Sequence, residues 1–318
     1  MSSLVFKNVY LHDYYSITSK LEYEGNITPD LVIDDYYFGC KTFEGAEIKM
    51  QRTVIDYLLN KNKANLIIGG DLSNQLAISS YMACKYDIPY LGMYSACATF
   101  NSALITMSNL IDSNKIKQGI VITSSHNKVA ERQFRYPIEY GAPKKKVATY
   151  TATGSIGIIV SKKKSNIKVE AATIGRVVDS KTKDVNNMGA VMAISACNTL
   201  YQHLKDLNKD INDYDLILTG DLGTYGSKIF KEYLNKEYNI RIKNYLDAGS
   251  NIYKKEQELF SGASGPICLP LYLFTNIINK NKYKKILLLA TGSLHSTTLV
   301  NQKNTLLSTC HAISLEVL

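Results

Sequence analysis

Cys97 lies in the stretch YSACATF, where an apolar strand gives way to the nearly all-apolar helical run ATFNSALITMSNLI at 98–111. A thiol at a helix start meets unpaired backbone N–H groups and the positive end of the helix dipole, which favour a thiolate and also attract an anion. The position suits a nucleophile or a binding site equally, and a thiol that only packs would look the same. A second group stands out by residue type. The chain has 37 basic residues and only five are arginine, yet Arg132 and Arg135 both fall in AERQFRYP. A guanidinium fork grips a carboxylate through two parallel hydrogen bonds, which a lysine cannot reproduce. Ion pairs with Glu131 or Glu139 that order a surface loop would use the same arginines. Tyr136, before Pro137, suits either stacking on a flat ring or packing. His126 and His295 each close an apolar run, in GIVITSSHN and ILLLATGSLHS. The six cysteines and five histidines are dispersed, with no Cys-x-x-Cys and no His-x-x-x-His. Neither a disulfide framework, a protein-held metal nor a cofactor is expected.

The elements that position these groups occur twice. IIGGDLSNQ at 67–75 returns as ILTGDLGTYG at 217–226, Cys97 has a counterpart in Cys268 of SGPICLP, and His126 has one in His295. The offsets, 150, 171 and 169 residues, keep the same order, as a duplicated unit with loop insertions would. Periodicity predicts strands over 65–70, 88–94, 118–123, 147–161, 167–178, 214–219, 285–290 and 312–318, and helices over 74–85, 98–111, 189–206, 227–237 and 267–279. Alternating strands and helices imply a mixed sheet covered by helices. No low-complexity tract separates the halves, so a boundary near residue 163 divides one body into halves 1–163 and 164–318. Asp71 and Asp221, at equivalent strand ends, are read as caps of helices or turns.

At 318 residues the chain has ample core for this architecture. No run approaches the ~20 apolar residues of a membrane span, and MSSLVFKNVYLHDYY lacks the pattern of a signal peptide. A soluble chain, at most peripheral to a membrane, is expected. Net charge is +9, with lysine clusters in PKKKV, SKKKS and NKNKYKK. Such clusters are ordinarily solvated loops, with an anionic membrane surface as the functional alternative. No nucleic-acid module accompanies the charge, so no nucleic-acid partner is expected.

Strand, small residue, Ala-Cys-Ala-Thr and long apolar helix, in a duplicated α/β chain, resemble the thiolase and ketoacyl-synthase superfamily. TSSHNKVAERQFRYPIEYG at 123–141, GDL at both sites, GRVVDS and YDLILTGDL resemble, more closely, the stage V sporulation protein AD family of spore-forming bacteria. This likeness extends from about residue 30 to the C-terminus. It implies a thiolase-like α/β fold of five αβαβα layers with pseudo-twofold halves. It also implies a role in dipicolinic acid uptake into the developing spore, a peripheral location at the inner forespore or spore membrane, membrane protein partners of the same stage V transport system, and a homodimer. Condensing enzymes of the superfamily supply a His after the second-half strand and an Asn or second His from a nearby Gly-rich loop. Here those places read TGDLGTYGSK and FSGASGPIC, with neither residue. The expectation is therefore a binding protein for dipicolinate or its calcium chelate, with Cys97 a vestigial nucleophile. One carboxylate would take Arg132 and Arg135, the other the N–H groups of Ala98 and Thr99. His126 would form a wall beside Cys97, Tyr136 would stack, and His295 would stand near. The alternative is an acyl-transfer enzyme using Cys97, with His126 or His295 as base. Arg176 and Asp179 match the family without a derivable role.

Overall fold

The structure, a computed structural model, describes residues 2–134 and 145–318. The first half supplies strands β1 (Ser3–Val5), β2 (Tyr10–Ser19), β3 (Leu31–Ile33), β4 (Ile67–Gly70), β5 (Tyr90–Gly92), β6 (Gln118–Ser125), β7 (Tyr150–Thr151) and β8 (Gly154–Ser161). With them come helices α1 (Lys20–Tyr23), α2 (Phe43–Lys61), α3 (Ala77–Ala83), α4 (Thr99–Asp112) and α5 (Asn127–Phe134). The second half supplies β9 (Ile167–Ile174), β10 (Val178–Asp179), β11 (Leu216–Thr219), β12 (Tyr245–Asp247), β13 (Ala263–Ser264), β14 (Lys285–Leu294) and β15 (Leu307–Val317). Its helices are α6 (Met188–Leu207), α7 (Gly223–Tyr238), α8 (Ala248–Ile252), α9 (Cys268–Tyr272) and α10 (Thr297–Asn301).

The strand order, β5-β4-β6-β8-β2-β9-β15-β14-β11-β12, reads the same from either end once each strand is matched with its repeat. In each half three parallel strands are followed by an antiparallel one: β4, β5 and β6 then β8, and β11, β12 and β14 then β15. GDL follows β4 and β11, the matched second strands of the two blocks. The doubled GDL is thus one strand end present twice.

Side chains alternate across each sheet, because successive residues of a strand point to opposite faces. Ile67, Ile120, Ile122 and Ile159 pack outward with Met50, Val54 and Leu58 of α2 and Met82 of α3. Their neighbours Ile68, Val121, Ile158 and Val160 point inward, toward α4. In the second half Ile217, Leu287 and Leu289 face outward to Leu200 of α6 and Phe230 and Leu234 of α7, while Leu216, Leu218 and Leu288 face inward with Leu269 and Leu271 of α9. The layers run α2/α3, sheet, α4/α9, sheet, α6/α7. A helix between two sheet faces is buried on most sides, with solvent reaching only Asn109 and parts of Thr106, Leu110 and Asp112 of α4, which is why ATFNSALITMSNLI is apolar almost all round.

The helix expected over 267–279 is present as α9, continued by a wider-pitched turn at Leu273–Ile277 and a tight one at Ile278–Lys280. The helix expected over 74–85 begins later, at Ala77. Gln75 and Leu76 are left-handed, and Leu76 thereby lays its side chain beside the Cα positions of Gly70 and Gly92. The strand expected over 147–161 is two strands, and β2 and α2 have no counterpart among the sequence expectations.

The close crossing of α6 and α7 depends on two glycines. A Cβ on Gly226 would lie 2.7 Å from Gly189 Cα. Gly226→Ala is expected to destabilise the fold by about 1–3 kcal/mol through overpacking, read as a lowered urea midpoint. Gly220→Ala, whose Cβ would meet nothing closer than 3.7 Å, is expected to leave the midpoint nearly unchanged.

Candidate functional site

After β5 the chain turns sharply at 95–98 to enter α4, with Ala96 left-handed at φ 51°. Thr99 locks the turn: its Oγ1 accepts from Ser95 N–H at 3.0 Å and donates to Ala96 O at 2.7 Å. Gly292 of β14 lies against the same turn, where a Cβ would stand 2.3 Å from Ser95 O. The strand from the second half can approach only because that residue has no side chain. The turn uses the donors assigned above to a carboxylate. Ala98 N–H bonds Ser95 O at 3.0 Å and Thr99 N–H bonds Ala96 O at 3.2 Å, and both residues are fully buried. Neither N–H group is available to a ligand.

Cys97 lines a narrow cleft. Leu72, Tyr94, Phe134 and Met188 supply apolar surface, and Thr151, Ser264, Ser293, His295 and Glu131 supply polar groups. Ser293, only 6% exposed, has an Oγ without a hydrogen-bond partner among the described residues. A buried hydroxyl left unpaired is costly unless something else satisfies it. The His295 ring lies 5.6 Å from that of Phe134, so the two form one wall. Burial, with the charges of Cys97 and Asp71 adding to it, pushes the Tyr94 hydroxyl up to about 12.

Behind Cys97 lies Asp221, 1% exposed, at the end of β11. Its Oδ2 accepts from Gly265 N–H at 3.1 Å, its Oδ1 accepts from Thr291 Oγ1 at 3.1 Å, and it is hydrogen-bonded to the Cys97 side chain. Burial raises the carboxyl to about 7, with the charge of Asp247 adding to the effect and the hydrogen bonds opposing it. A thiol and a carboxyl group held together carry one negative charge readily and two only at a large cost. This pair opposes the thiolate that a nucleophilic cysteine needs. Asp221 is thus a site residue, in contrast to its expected role as a simple cap. Asp71 does behave as a cap, with Oδ1 taking Ser73 N–H at 2.6 Å and Oδ2 taking Ser79 N–H at 2.8 Å.

Of the expected site residues that the structure describes, only Cys97 and His295 line the cleft. His126 does not line it: its Nε2 is hydrogen-bonded to Tyr36 O at 2.8 Å and its Nδ1 accepts from Lys128 N–H at 3.2 Å. Burial lowers its pKa to about 4, and Tyr36 and Phe43 pack on the ring. It is a neutral, structural histidine. Arg132 also lies outside the cleft lining, paired with Glu44 in a half-exposed ion pair. Such pairs contribute little to stability. Arg135 and Tyr136 lie outside the described residues. Arg176 is exposed away from the cleft, and Asp179 orders a turn by accepting from Lys181 N–H at 2.8 Å and Thr305 Oγ1 at 3.1 Å. Among the described residues no three His, Cys, Asp or Glu side chains are grouped to hold a metal ion.

Sequence reasoning missed Asp221 behind Cys97, and Ser293, Glu131, Tyr94, Phe134 and Met188 as cleft residues. For Asp221 a signal existed: it occupies the strand end where the superfamily pattern calls for His. The others come from four separate segments, and only the folded chain brings them together.

A duplicated sheet pair enclosing two buried helices, with a cysteine at the mouth of one of them, defines a thiolase-like protein. Its fold matches that of OleA from Xanthomonas campestris, a thiolase-fold protein, over 98% of this chain and 99% of the other, with a TM-score of 0.65 and 11% identity for a single-residue variant. For cerulenin-bound OleA of the same organism the TM-score is 0.61 at 13% identity, with 98% of each chain covered. At the level of sequence, residues 2–316 match the family model for stage V sporulation protein AD. The chain is 38% identical over 296 residues to stage V sporulation protein AD of Bacillus subtilis (strain 168), covering 90% of this chain and 87% of that one. The chain belongs to the stage V sporulation protein AD family.

The Cys97–Asp221 pair can be tested directly. Asp221→Asn is expected to raise the rate at which iodoacetamide alkylates Cys97 above neutral pH by about tenfold, since a neighbouring negative charge is removed; mass spectrometry of the intact protein reads the adduct. The raised carboxyl also links to stability. The folded-state value, about 7, exceeds the ordinary 3.8, so the native state binds the proton more tightly than the unfolded chain. The contribution of Asp221 is therefore greatest below about pH 4 and is lost as pH rises through about 7. Denaturation across that window should show a flatter pH slope in Asp221→Asn than in the parent.

Proposed function

We propose that this chain is a sporulation protein that binds dipicolinic acid, free or as its calcium chelate, in the cleft before Cys97. It supports uptake of that ligand into the developing spore by passing it to membrane proteins of the same system. The observation that carries the binding reading is Asp221 at the strand end behind Cys97. A base there would activate the thiol, whereas a carboxyl group competes with it for negative charge. The cleft's form supports the same reading. Dipicolinate is a flat pyridine with two carboxylates, and Tyr94, Phe134, Leu72 and Met188 offer a slot for the ring. The hydroxyl of Ser293 and the side chains of Ser264, Thr151 and His295 offer polar partners at its edge. Arg135 remains assigned to a carboxylate on the strength of the family resemblance.

Calorimetry with dipicolinate should show saturable binding. Ser293→Ala is expected to weaken it by about 2- to 10-fold, the effect of one neutral hydrogen bond, and Arg135→Ala by roughly 10- to 150-fold, the effect of one charged hydrogen bond. Picolinate, with a single carboxylate, should bind more weakly than dipicolinate. Equal thermal stabilisation by dipicolinate, picolinate, isophthalate and glutarate at fixed ionic strength would reduce the effect to charge neutralisation and end the pocket reading. Incubation with acetyl- or malonyl-coenzyme A separates binding from acyl transfer: no acyl adduct is expected, and a stoichiometric one that disappears in Cys97→Ser would replace binding with catalysis.

A further inference from the structure

The cleft occupies the end of the molecule where β4, β6, β11 and β14 finish. Strand register defines the opposite end as one continuous row. Gln118, the first residue of β6, pairs with Ser161, the last of β8, which pairs with Tyr10 at the start of β2. Tyr10 pairs with Lys168 and Leu11 with Ile167 at the start of β9, and Ile167 pairs with Val317 at the end of β15. Val317 N–H then donates to Lys284 O at 2.7 Å, just before β14.

The segments that enter and leave this row carry lysines. Lys115 and Lys117 lead into β6, Lys163 and Lys164 follow β8, and Lys282 and Lys284 lead into β14; all six are exposed. Clusters drawn from between residues 115 and 284 of the sequence therefore meet along one edge, drawn together by the repeat. Nearby acids are used elsewhere. Asp112 Oδ1 accepts from Lys7 and Asn8 N–H at 3.2 and 3.1 Å, and Asp215 Oδ2 accepts from Lys284 and Lys285 N–H at 2.8 Å each. Asp210 and Asp213, at the flank, close a capping box on each other's backbone. Among the described residues none of the six lysines is in an ion pair.

We propose that this end docks on an anionic phospholipid bilayer and leaves the mouth of the cleft facing the aqueous side. Six ammonium groups on flexible stems, spread over separate loops, suit a diffuse layer of negative charge, which asks for no fixed geometry. Nucleic acid is the less suited partner: none of the five arginines belongs to these segments, and no ladder of stacking aromatics accompanies them. The 14 residues of α4, at about 1.5 Å each, put the row roughly 20 Å from Cys97. Docking here therefore does not cover the cleft, and the inference is independent of which ligand the cleft takes.

The test is co-sedimentation of the full chain with phosphatidylcholine vesicles, with and without phosphatidylglycerol. Binding is expected only to vesicles containing phosphatidylglycerol, and it should weaken as salt is added. Changing Lys115, Lys117, Lys163, Lys164, Lys282 and Lys284 together to Gln should abolish it, at about fivefold in partitioning per lysine in contact. A control changing Lys20, Lys41, Lys181, Lys228, Lys254 and Lys255 to Gln carries the same net charge and should retain binding. The smaller Lys163→Gln/Lys164→Gln variant gives the same direction if the sixfold change disturbs folding. Equal loss in the sixfold variant and its control would reduce the effect to net charge, and unchanged binding in the sixfold variant would place the contact elsewhere. Absent vesicle binding together with row-dependent binding of duplex DNA would assign the end to nucleic acid. Each of these three results overturns the proposal.

Discussion

Two helices, α4 and α9, are packed between the inner sheet faces with most of their residues buried, and the rest of the molecule answers to that constraint. Both inner sheet faces must be apolar to receive them, and α2, α3, α6 and α7 must cover the outer faces, so the central strands read as unbroken apolar runs. The helix starts meet the same condition. Their first N–H groups lie where an unpaired donor would be costly, and the chain satisfies several locally, Ala98 with Ser95, Thr99 with Ala96 and Cys268 with Gly265. A helix start exposed to solvent leaves such groups for an anion; here the turn consumes them. What the site can do chemically is then left to side chains.

The matched aspartates show how environment divides two copies of one sequence. Asp71 is ringed by the hydroxyls and N–H groups of Ser73 and Ser79, all from its own half. Asp221 is followed by LGTYG, with no serines at the matching places, and it turns instead to Cys97 of the other half and to Gly265 and Thr291. The same three letters, Gly-Asp-Leu, thus build a self-contained turn once and a contact between halves the second time.

Much of the fold was legible because its signals are local. The repeated strand ends, the all-apolar run after Cys97 and the helices over 189–206 and 227–237 all follow from spacing. β2 was hidden because YLHDYYSITS carries charge and hydroxyls along a strand with partly exposed faces, and α2 because its apolar stripe is diluted by Glu44, Glu47, Lys49, Gln51 and Arg52. Glu47 and Gln51 point inward nonetheless, joined through Ser124. Of the residues singled out by type, Cys97 and His295 line the cleft, whereas His126 and Arg132 do not, because a polar residue's contacts depend on which neighbour arrives first, here Tyr36 and Glu44. Those partners come from a region of the chain in which no element had been expected.

The strand that starts the chain belongs to both blocks of the sheet. Residues 3–11 lie along β9 and residues 10–19 along β8. This segment leaves the ribosome well before its partners, which lie some 140 to 170 residues downstream. At roughly 5–20 residues per second, on the order of ten seconds or more pass before either partner exists. Until then only its end, Ile17–Ser19, has a nearby partner in β3, and the rest is an unpaired strand, a form of chain prone to pair with a wrong neighbour. His12 and Asp13, placed where its register slips between Leu11 and Tyr14, interrupt the only long stretch such a neighbour could copy. When the downstream strands appear, one segment closes both sheets, and the two halves, alike in plan, are thereby completed together.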